Sequence, residues 1–154
     1  MDNGEQTTKS VKALSKSDLA LKEVLAPVAI PNAWTAGDDD VEMANNDTLL
    51  LYVTAVLDAG SVVTELRLRL SFDPDGTGTF YDETGVDLQV PAGGVMDADL
   101  VDVEYVLVVA GGGTYNKMFT LPVDAAIVRV SVIGDAVGAD DLLSVNAARM
   151  LRDG

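Results

Sequence analysis

The chain has 154 residues, 48% of them hydrophobic, which suits one domain with a buried core. It contains no cysteine and no histidine, so disulfides, thiolate or imidazole metal sites and Ser–His or Cys–His catalytic pairs are excluded. A net charge of −15 opposes binding to a phosphate backbone, and no apolar run is long enough to span a bilayer. The acidity fits solubility, a salty medium or a basic partner surface.

Residues 1–33 differ from the rest and predict an N-terminal arm ahead of a body at 34–154. The arm holds four of the ten basic side chains and no aromatic residue. Ser17 and Asp18 can cap a short helix over Leu19–Leu25. Because a helix of this length is marginal on its own, we expect the arm to be ordered mainly by what it binds.

Apolar side chains in the arm and on one strand of the body are candidates for binding a partner. The strand Thr48–Leu57 is apolar on both faces, which places it centrally or beneath a covering partner. Trp34, the single tryptophan, is predicted to plug the core boundary, with ligand stacking as the alternative. The full set of partner-binding candidates is Val24, Leu25, Val28, Ile30, Trp34, Leu50, Tyr52 and Val56.

From residue 41 onward the chain alternates between predicted strands and turns. Turns recur every eight to twelve residues or so, as in all-β domains, and no helix is predicted between strands. We therefore predict an all-β fold, an antiparallel β-sandwich of the jelly-roll-like or Greek-key type. The predicted strands are Val41–Ala44, Thr48–Leu57, Val62–Phe72, Thr79–Tyr81, Val86–Val90, Leu100–Val109, Tyr115–Leu121, Ala126–Ile133 and Leu142–Met150.

The clearest strand lies within Val62–Glu83 and alternates with a period of two. One face carries Leu66, Leu68, Leu70 and Phe72, and the other carries Glu65, Arg67, Arg69 and Ser71. This alternation is typical of a half-buried strand. A glycine run, Gly111-Gly112-Gly113, is predicted to be a hairpin loop, since a phosphate cradle would need a helix after it.

The loop that follows this strand, Asp73-Pro74-Asp75-Gly76-Thr77-Gly78-Thr79, has two interpretations. Side chains with oxygen atoms occur at every second position, which makes Asp73, Asp75 and Thr77 candidate calcium ligands. A calcium loop of the EF type, however, requires acidic residues at its fifth and twelfth positions, where this chain has Thr77 and Thr84. A hairpin turn rich in aspartate and glycine is favoured.

Carboxylate pairs are the remaining route to catalysis. Asp82 with Glu83, and Asp102 with Glu104, are the candidates, and the second pair shares an outward face. No aromatic cluster accompanies either pair, so a glycan-cleaving enzyme is the weakest interpretation. We predict no catalytic residue and no cofactor, with Ca²⁺ as the sole alternative.

The segment from Asn46 to Arg149 resembles small β-sandwich proteins of tailed-phage virions. The residues that carry the resemblance are Leu68-Arg69-Leu70-Ser71-Phe72-Asp73 with Phe80-Tyr81, Phe119-Thr120-Leu121-Pro122, the strand Ile127–Gly134 and the final strand Leu142–Arg149. The resemblance implies a non-enzymatic decoration or cement protein on the outer capsid surface of a virion. It further implies an arm, residues 1–33, that contacts neighbouring subunits.

This resemblance also implies the partners. They would be the major capsid protein and further copies of the chain, as a dimer or trimer, with no nucleic acid and no membrane. The alternative is a calcium- or carbohydrate-binding β-sandwich module of a tail fibre or surface protein.

Overall fold

The computed structural model describes residues 20–89 and 97–152, and these ranges contain strands and no helix. The strands, in chain order, are β1 Lys22–Ile30, β2 Thr35–Ala36, β3 Val41–Glu42, β4 Thr48–Leu57, β5 Glu65–Asp73, β6 Tyr81–Asp82, β7 Thr84–Gln89, β8 Asp97–Asp102, β9 Tyr105–Val108, β10 Gly113–Pro122, β11 Ile127–Gly134 and β12 Gly138–Met150. None of these ranges includes a helix that could cross a membrane.

Two antiparallel sheets form the body. The first sheet has the order β1-β12-β4-β10. In the second sheet β11 and β5 are central, with β2 and β3 beside β11 and with β6 and β9 beside β5. Strands β7 and β8 pair with each other as a separate ribbon. The predicted all-β antiparallel sandwich is therefore confirmed.

The core lies between the two sheets because both sheets alternate apolar and polar residues. In β11 every second residue is buried, including Val128, Val130 and Val132. In β5, Leu66 and Leu68 are each 1% exposed and join the same buried cluster as the inward residues of β4. This period of two directs one face of each sheet inward and leaves the other face outside.

The central position predicted for Thr48–Leu57 is confirmed. As β4, this segment pairs along its length with β10 on one side and with β12 on the other. Its inward residues, such as Leu49 and Val53, are in the core, whereas its even-numbered residues lie on the outer face of the first sheet.

The predicted arm needs correction, because its second half belongs to the sandwich. Residues 22–30 form β1, an outer strand of the first sheet that pairs with β12. The helix predicted over Leu19–Leu25 is wrong for residues 22–25, which are extended. The apolar side chains attributed to partner binding fill the core instead: Val24 is fully buried, and Leu25 and Ile30 are 3% and 1% exposed. Residues 1–19 lie outside the described residues.

Two further predictions are corrected near the glycine run. Leu100–Val109 is not one strand, since β8 pairs with β7 and β9 pairs with β5. The loop Gly111-Gly112-Gly113 does not close a hairpin, because β9 belongs to the second sheet and β10 to the first. A glycine is needed there for close approach: a Cβ on Gly112 would lie 2.8 Å from the Ala59 Cα.

Candidate functional site

The loop with the candidate calcium ligands is organised by its own carboxylates. Asp73 is fully buried, and its Oδ1 accepts hydrogen bonds from the backbone N–H groups of Gly76 at 2.9 Å and Thr77 at 3.2 Å. Its Oδ2 accepts from Gly78 N–H at 2.8 Å. The Thr77 hydroxyl donates to Asp75 at 2.7 Å, and this bond lowers the pKa of Asp75. The two carboxylates thus bind the loop itself.

Positive φ angles of 77° at Gly76 and 97° at Gly78 allow the backbone to wrap around Asp73. The hairpin interpretation accounts for Asp73, Asp75, Gly76, Thr77 and Gly78. Within residues 20–89 and 97–152, no group of three or more acidic side chains is arranged to hold a metal ion. The calcium site stays a prediction without support from the geometry.

The outer face of the second sheet gathers charged and aromatic side chains. Arg67 and Arg69 point outward from β5, and Arg129 points outward from the neighbouring β11. These are three of the six basic residues that follow residue 31. Loops add two aromatic rings and several carboxylates. We call this surface the arginine face and define it as Trp34, Asp40, Glu65, Arg67, Arg69, Phe80, Asp102, Glu104 and Arg129.

Arg69 is held between an aromatic ring and two carboxylates. Its guanidinium carbon lies 4.1 Å from the centroid of the Trp34 ring, which is a cation–π contact. Its Nη2 donates to Glu104 at 2.8 Å, and its Nη1 lies 3.4 Å from Asp102. The side chain is thus fixed on three sides and 32% exposed, while its Nε is buried without a hydrogen-bond partner.

Arg129 repeats this arrangement on the next strand. Its guanidinium carbon lies 3.9 Å from the Phe80 ring centroid. Asp40 accepts from Nε at 3.0 Å and from Nη2 at 3.1 Å, a bidentate pair that raises the pKa of Arg129. The arginine face therefore contains two stacked and ion-paired arginines built from different parts of the chain.

Glu104 links two of the arginines. It accepts from Arg69 at 2.8 Å and from Arg67 at 3.0 Å, and the hydrogen bond from Arg69 is the main reason that its pKa is lowered. A carboxylate held in the ionised form is unsuited to be the general acid of a glycosidase. The outward direction predicted for Asp102 and Glu104 agrees with the structure, in which both face arginines.

This pKa shift predicts a pH-dependent stability. A carboxylate whose folded pKa is lowered stabilises the native state above its ordinary value of 4.5, and that contribution is lost as the pH falls through the folded pKa. Because Glu104 is partly exposed, we expect Glu104→Gln to cost no more than about 1 kcal/mol at pH 6. The difference in the free energy of unfolding between the wild type and Glu104→Gln, measured with urea, should become smaller towards pH 3.

Glu23→Gln is the matched control, since Glu23 is an exposed glutamate on the edge strand β1. Its effect should not vary with pH in the same way. An equal pH dependence in the two variants would contradict a specific role for Glu104.

The predicted partner-binding residues are scattered by the fold. Val28 packs against the core, beside the buried β1 residues described above. Trp34 is half-buried, as expected of a residue at the core boundary, and its ring packs against Arg69; the ligand-stacking alternative stays a prediction. Leu50 is 7% exposed, while Val56 on the same outer face of the first sheet is 42% exposed. Tyr52 lies between them and is partly exposed.

Sequence reasoning missed Asp40, Phe80 and Arg129 as members of one site. The alternation in β5 and β11 did indicate that the arginines face outward. No sequence pattern, however, shows that Phe80 reaches Arg129, because these residues are 49 positions apart and meet through strand pairing.

Comparison with known proteins identifies no family for the chain. No family model and no curated protein matches it. Among solved structures it is similar to the CBM22-1 xylan-binding domain of Xyn10C from Paenibacillus barcinonensis, with a TM-score of 0.44 and 10% identity over 87% of this chain and 84% of that one.

A second similar structure is the CBM22-1–GH10 part of the endo-1,4-β-D-xylanase 10B of Clostridium thermocellum, complexed with xylohexaose. Its TM-score is 0.42 with 10% identity, and the match covers 89% of this chain and 27% of that chain. Similarity at this level says nothing about what the present chain binds.

Proposed function

We propose that the chain is a non-catalytic binding module and that the arginine face binds a neutral glycan. The observation that carries the proposal is the pair of stacked, carboxylate-held arginines, Arg69 on Trp34 and Arg129 on Phe80. We expect the guanidinium N–H groups and carboxylate lone pairs that are left over from these ion pairs to bind the hydroxyl groups of a sugar. Because these side chains are already ordered, little conformational entropy is lost on binding.

The charge of the face favours a neutral ligand. Three guanidinium groups stand beside the four carboxylates Asp40, Glu65, Asp102 and Glu104, so the face has no excess positive charge. The whole chain carries −15, which repels acidic polysaccharides. A neutral polysaccharide meets no such electrostatic penalty.

The test is titration calorimetry against neutral hexasaccharides of xylose, glucose and mannose, with polygalacturonate as the acidic comparison. We expect binding to at least one neutral glycan and none to polygalacturonate. Arg69→Lys should weaken that binding about tenfold or more, because lysine keeps the charge but loses the planar fork.

Arg152→Lys is the matched control, since Arg152 is exposed at the end of the described chain, away from the arginine face. It should bind as the wild type does. An equal loss of glycan affinity in Arg69→Lys and Arg152→Lys would contradict the proposal. So would the absence of binding to every neutral glycan in the panel.

Attachment to a phage capsid is a second candidate, favoured by the ribbon of β7 and β8. Val86 and Leu100 are directly paired across the ribbon and are 61% and 74% exposed. An isolated two-stranded ribbon is marginally stable, so apolar residues on it favour contact with a partner. The two strands contain four aspartates and no basic residue, which suits a partner surface with a basic rim.

In this candidate function the chain sits on the capsid surface of a virion, with the major capsid protein as its partner. The test is cosedimentation with shells assembled from a tailed-phage major capsid protein. We expect Leu100→Asp to reduce binding about tenfold or more and Val137→Asp, at a 57% exposed position in another turn, to leave it unchanged. If Leu100→Asp binds the shells as tightly as the wild type, the ribbon of β7 and β8 does not contact the capsid.

A further inference from the structure

The outer face of the first sheet carries no charge over a regular grid of residues. Strands β12, β4 and β10 place their outward side chains in four rows of three, fixed by the strand register. We call these twelve positions the neutral face. Row by row they are Leu142, Val56 and Thr114; Ser144, Thr54 and Asn116; Asn146, Tyr52 and Met118; and Ala148, Leu50 and Thr120.

This neutrality is unusual for the chain. Charged residues make up 23% of the sequence, and the outer face of the second sheet carries the arginine face. Depletion of charged residues distinguishes the centre of a protein interface from the remaining surface. Glu23 lies at the edge of the neutral face, opposite Asn146, where a charged rim residue is expected.

The side chains of the neutral face suit contact with an identical face. Val56, Leu142 and Met118 are 42%, 46% and 57% exposed, and Val56 pairs directly with Leu142. Much of the rest is threonine, serine and asparagine, whose hydroxyl and amide groups can both donate and accept hydrogen bonds. Thr54, for example, donates to Asn116 at 2.9 Å within the face.

We infer that the neutral face is the interface of a homodimer, in which it packs on the neutral face of a second copy. Two copies that each carry −15 repel one another wherever charged surfaces meet. The neutral face lets them approach without opposing charges. Edge-to-edge pairing through β10 is opposed by Lys117, an exposed lysine in the middle of that strand.

The dimer is weak and places the two arginine faces far apart. Four rows on three strands span roughly 400 Å², about half the area per partner of a standard interface. The fourth row adds little to the accessible area, because Ala148 and Leu50 are 2% and 7% exposed. Face-to-face stacking of the first sheets yields four layers, with the second sheets outermost. The two arginine faces then point in opposite directions, so the dimer presents two separate copies of that surface.

Sedimentation velocity of the full chain, from about 10 µM to about 1 mM, tests the inference. We expect a concentration-dependent monomer–dimer equilibrium that strengthens as NaCl rises from about 0.05 to about 0.5 M, because salt screens the repulsion between copies. Val56→Lys should weaken dimerisation about tenfold or more. Val137→Lys has the same net charge but lies outside the face, and it should dimerise as the wild type does.

Circular dichroism would confirm that both variants fold, since each replaces a partly exposed valine. A chain that stays monomeric at about 1 mM in about 0.5 M NaCl would overturn the inference. Equal dimerisation of the wild type and Val56→Lys would also overturn it. Glycan binding by the monomer is measured separately, so either proposal can fail alone.

Discussion

Removing residues 1–31 is expected to unfold the chain, whereas removing residues 1–19 is expected to leave the sandwich folded. The longer deletion removes β1 and with it the buried Val24, Leu25 and Ile30. Burial of each such side chain contributes about 1.5–3 kcal/mol, so the three together are worth about 6 kcal/mol. That is comparable with the entire stability of an ordinary domain.

The packing around β1 supports a loss of this size. Gly134 lies so close to Ile30 that an added Cβ would be 2.5 Å from the Ile30 Cγ2. Asp38 accepts a hydrogen bond from the backbone N–H of Ala26, which ties β1 to the loop after β2. Loss of β1 would also expose one edge of β12, and an open edge of that length favours aggregation.

Far-UV circular dichroism and urea unfolding of the two truncated chains would measure the difference. The shorter deletion serves as the control, because every described strand begins at residue 22 or later. A cooperative unfolding transition in the chain lacking residues 1–31 would contradict the assignment of β1 to the core. Any test of an N-terminal arm in partner binding should accordingly remove residues 1–19 alone.

Asp73→Ala is expected to destabilise the native state by about 3 kcal/mol, because it removes the carboxylate that accepts hydrogen bonds from three backbone N–H groups and leaves those of Gly76 and Gly78 unpaired. The carboxylate is fully buried, so its removal also leaves a void beneath the loop. Asp73→Asn should cost less, since it keeps one carbonyl oxygen. Urea unfolding at neutral pH would give the free energy of unfolding of the wild type, of Asp73→Ala and of Asp73→Asn.

Asp75→Ala is the comparison within the same loop. Asp75 is exposed and accepts hydrogen bonds from the Thr77 hydroxyl and backbone N–H, so we expect a much smaller loss of stability than for Asp73→Ala. Equal losses at the two positions would contradict the central role given to Asp73. Excess calcium should not raise the melting temperature, because the Asp73 oxygens already accept backbone hydrogen bonds; a clear rise would restore the calcium site.

The sequence alone determined the fold class and the direction of many side chains. Alternation with a period of two is a local property of the chain, so it is enough to direct Leu66 and Leu68 inward and Arg67 and Arg69 outward. The apolar character of both faces of Thr48–Leu57 correctly predicted a central strand. The aspartate and glycine content of the loop after β5 indicated a turn, and the fold bears this out.

Only the tertiary structure decided which strands are neighbours, and this decides the sites. The arginine face exists because β11 pairs with β5 and because two loops bring Trp34 and Phe80 over it. Because β1 pairs with β12 in the first sheet, Val24, Leu25 and Ile30, which were predicted to bind a partner, lie in the core instead. Strand order depends on contacts between residues far apart in the chain, and such contacts leave no local pattern in the sequence.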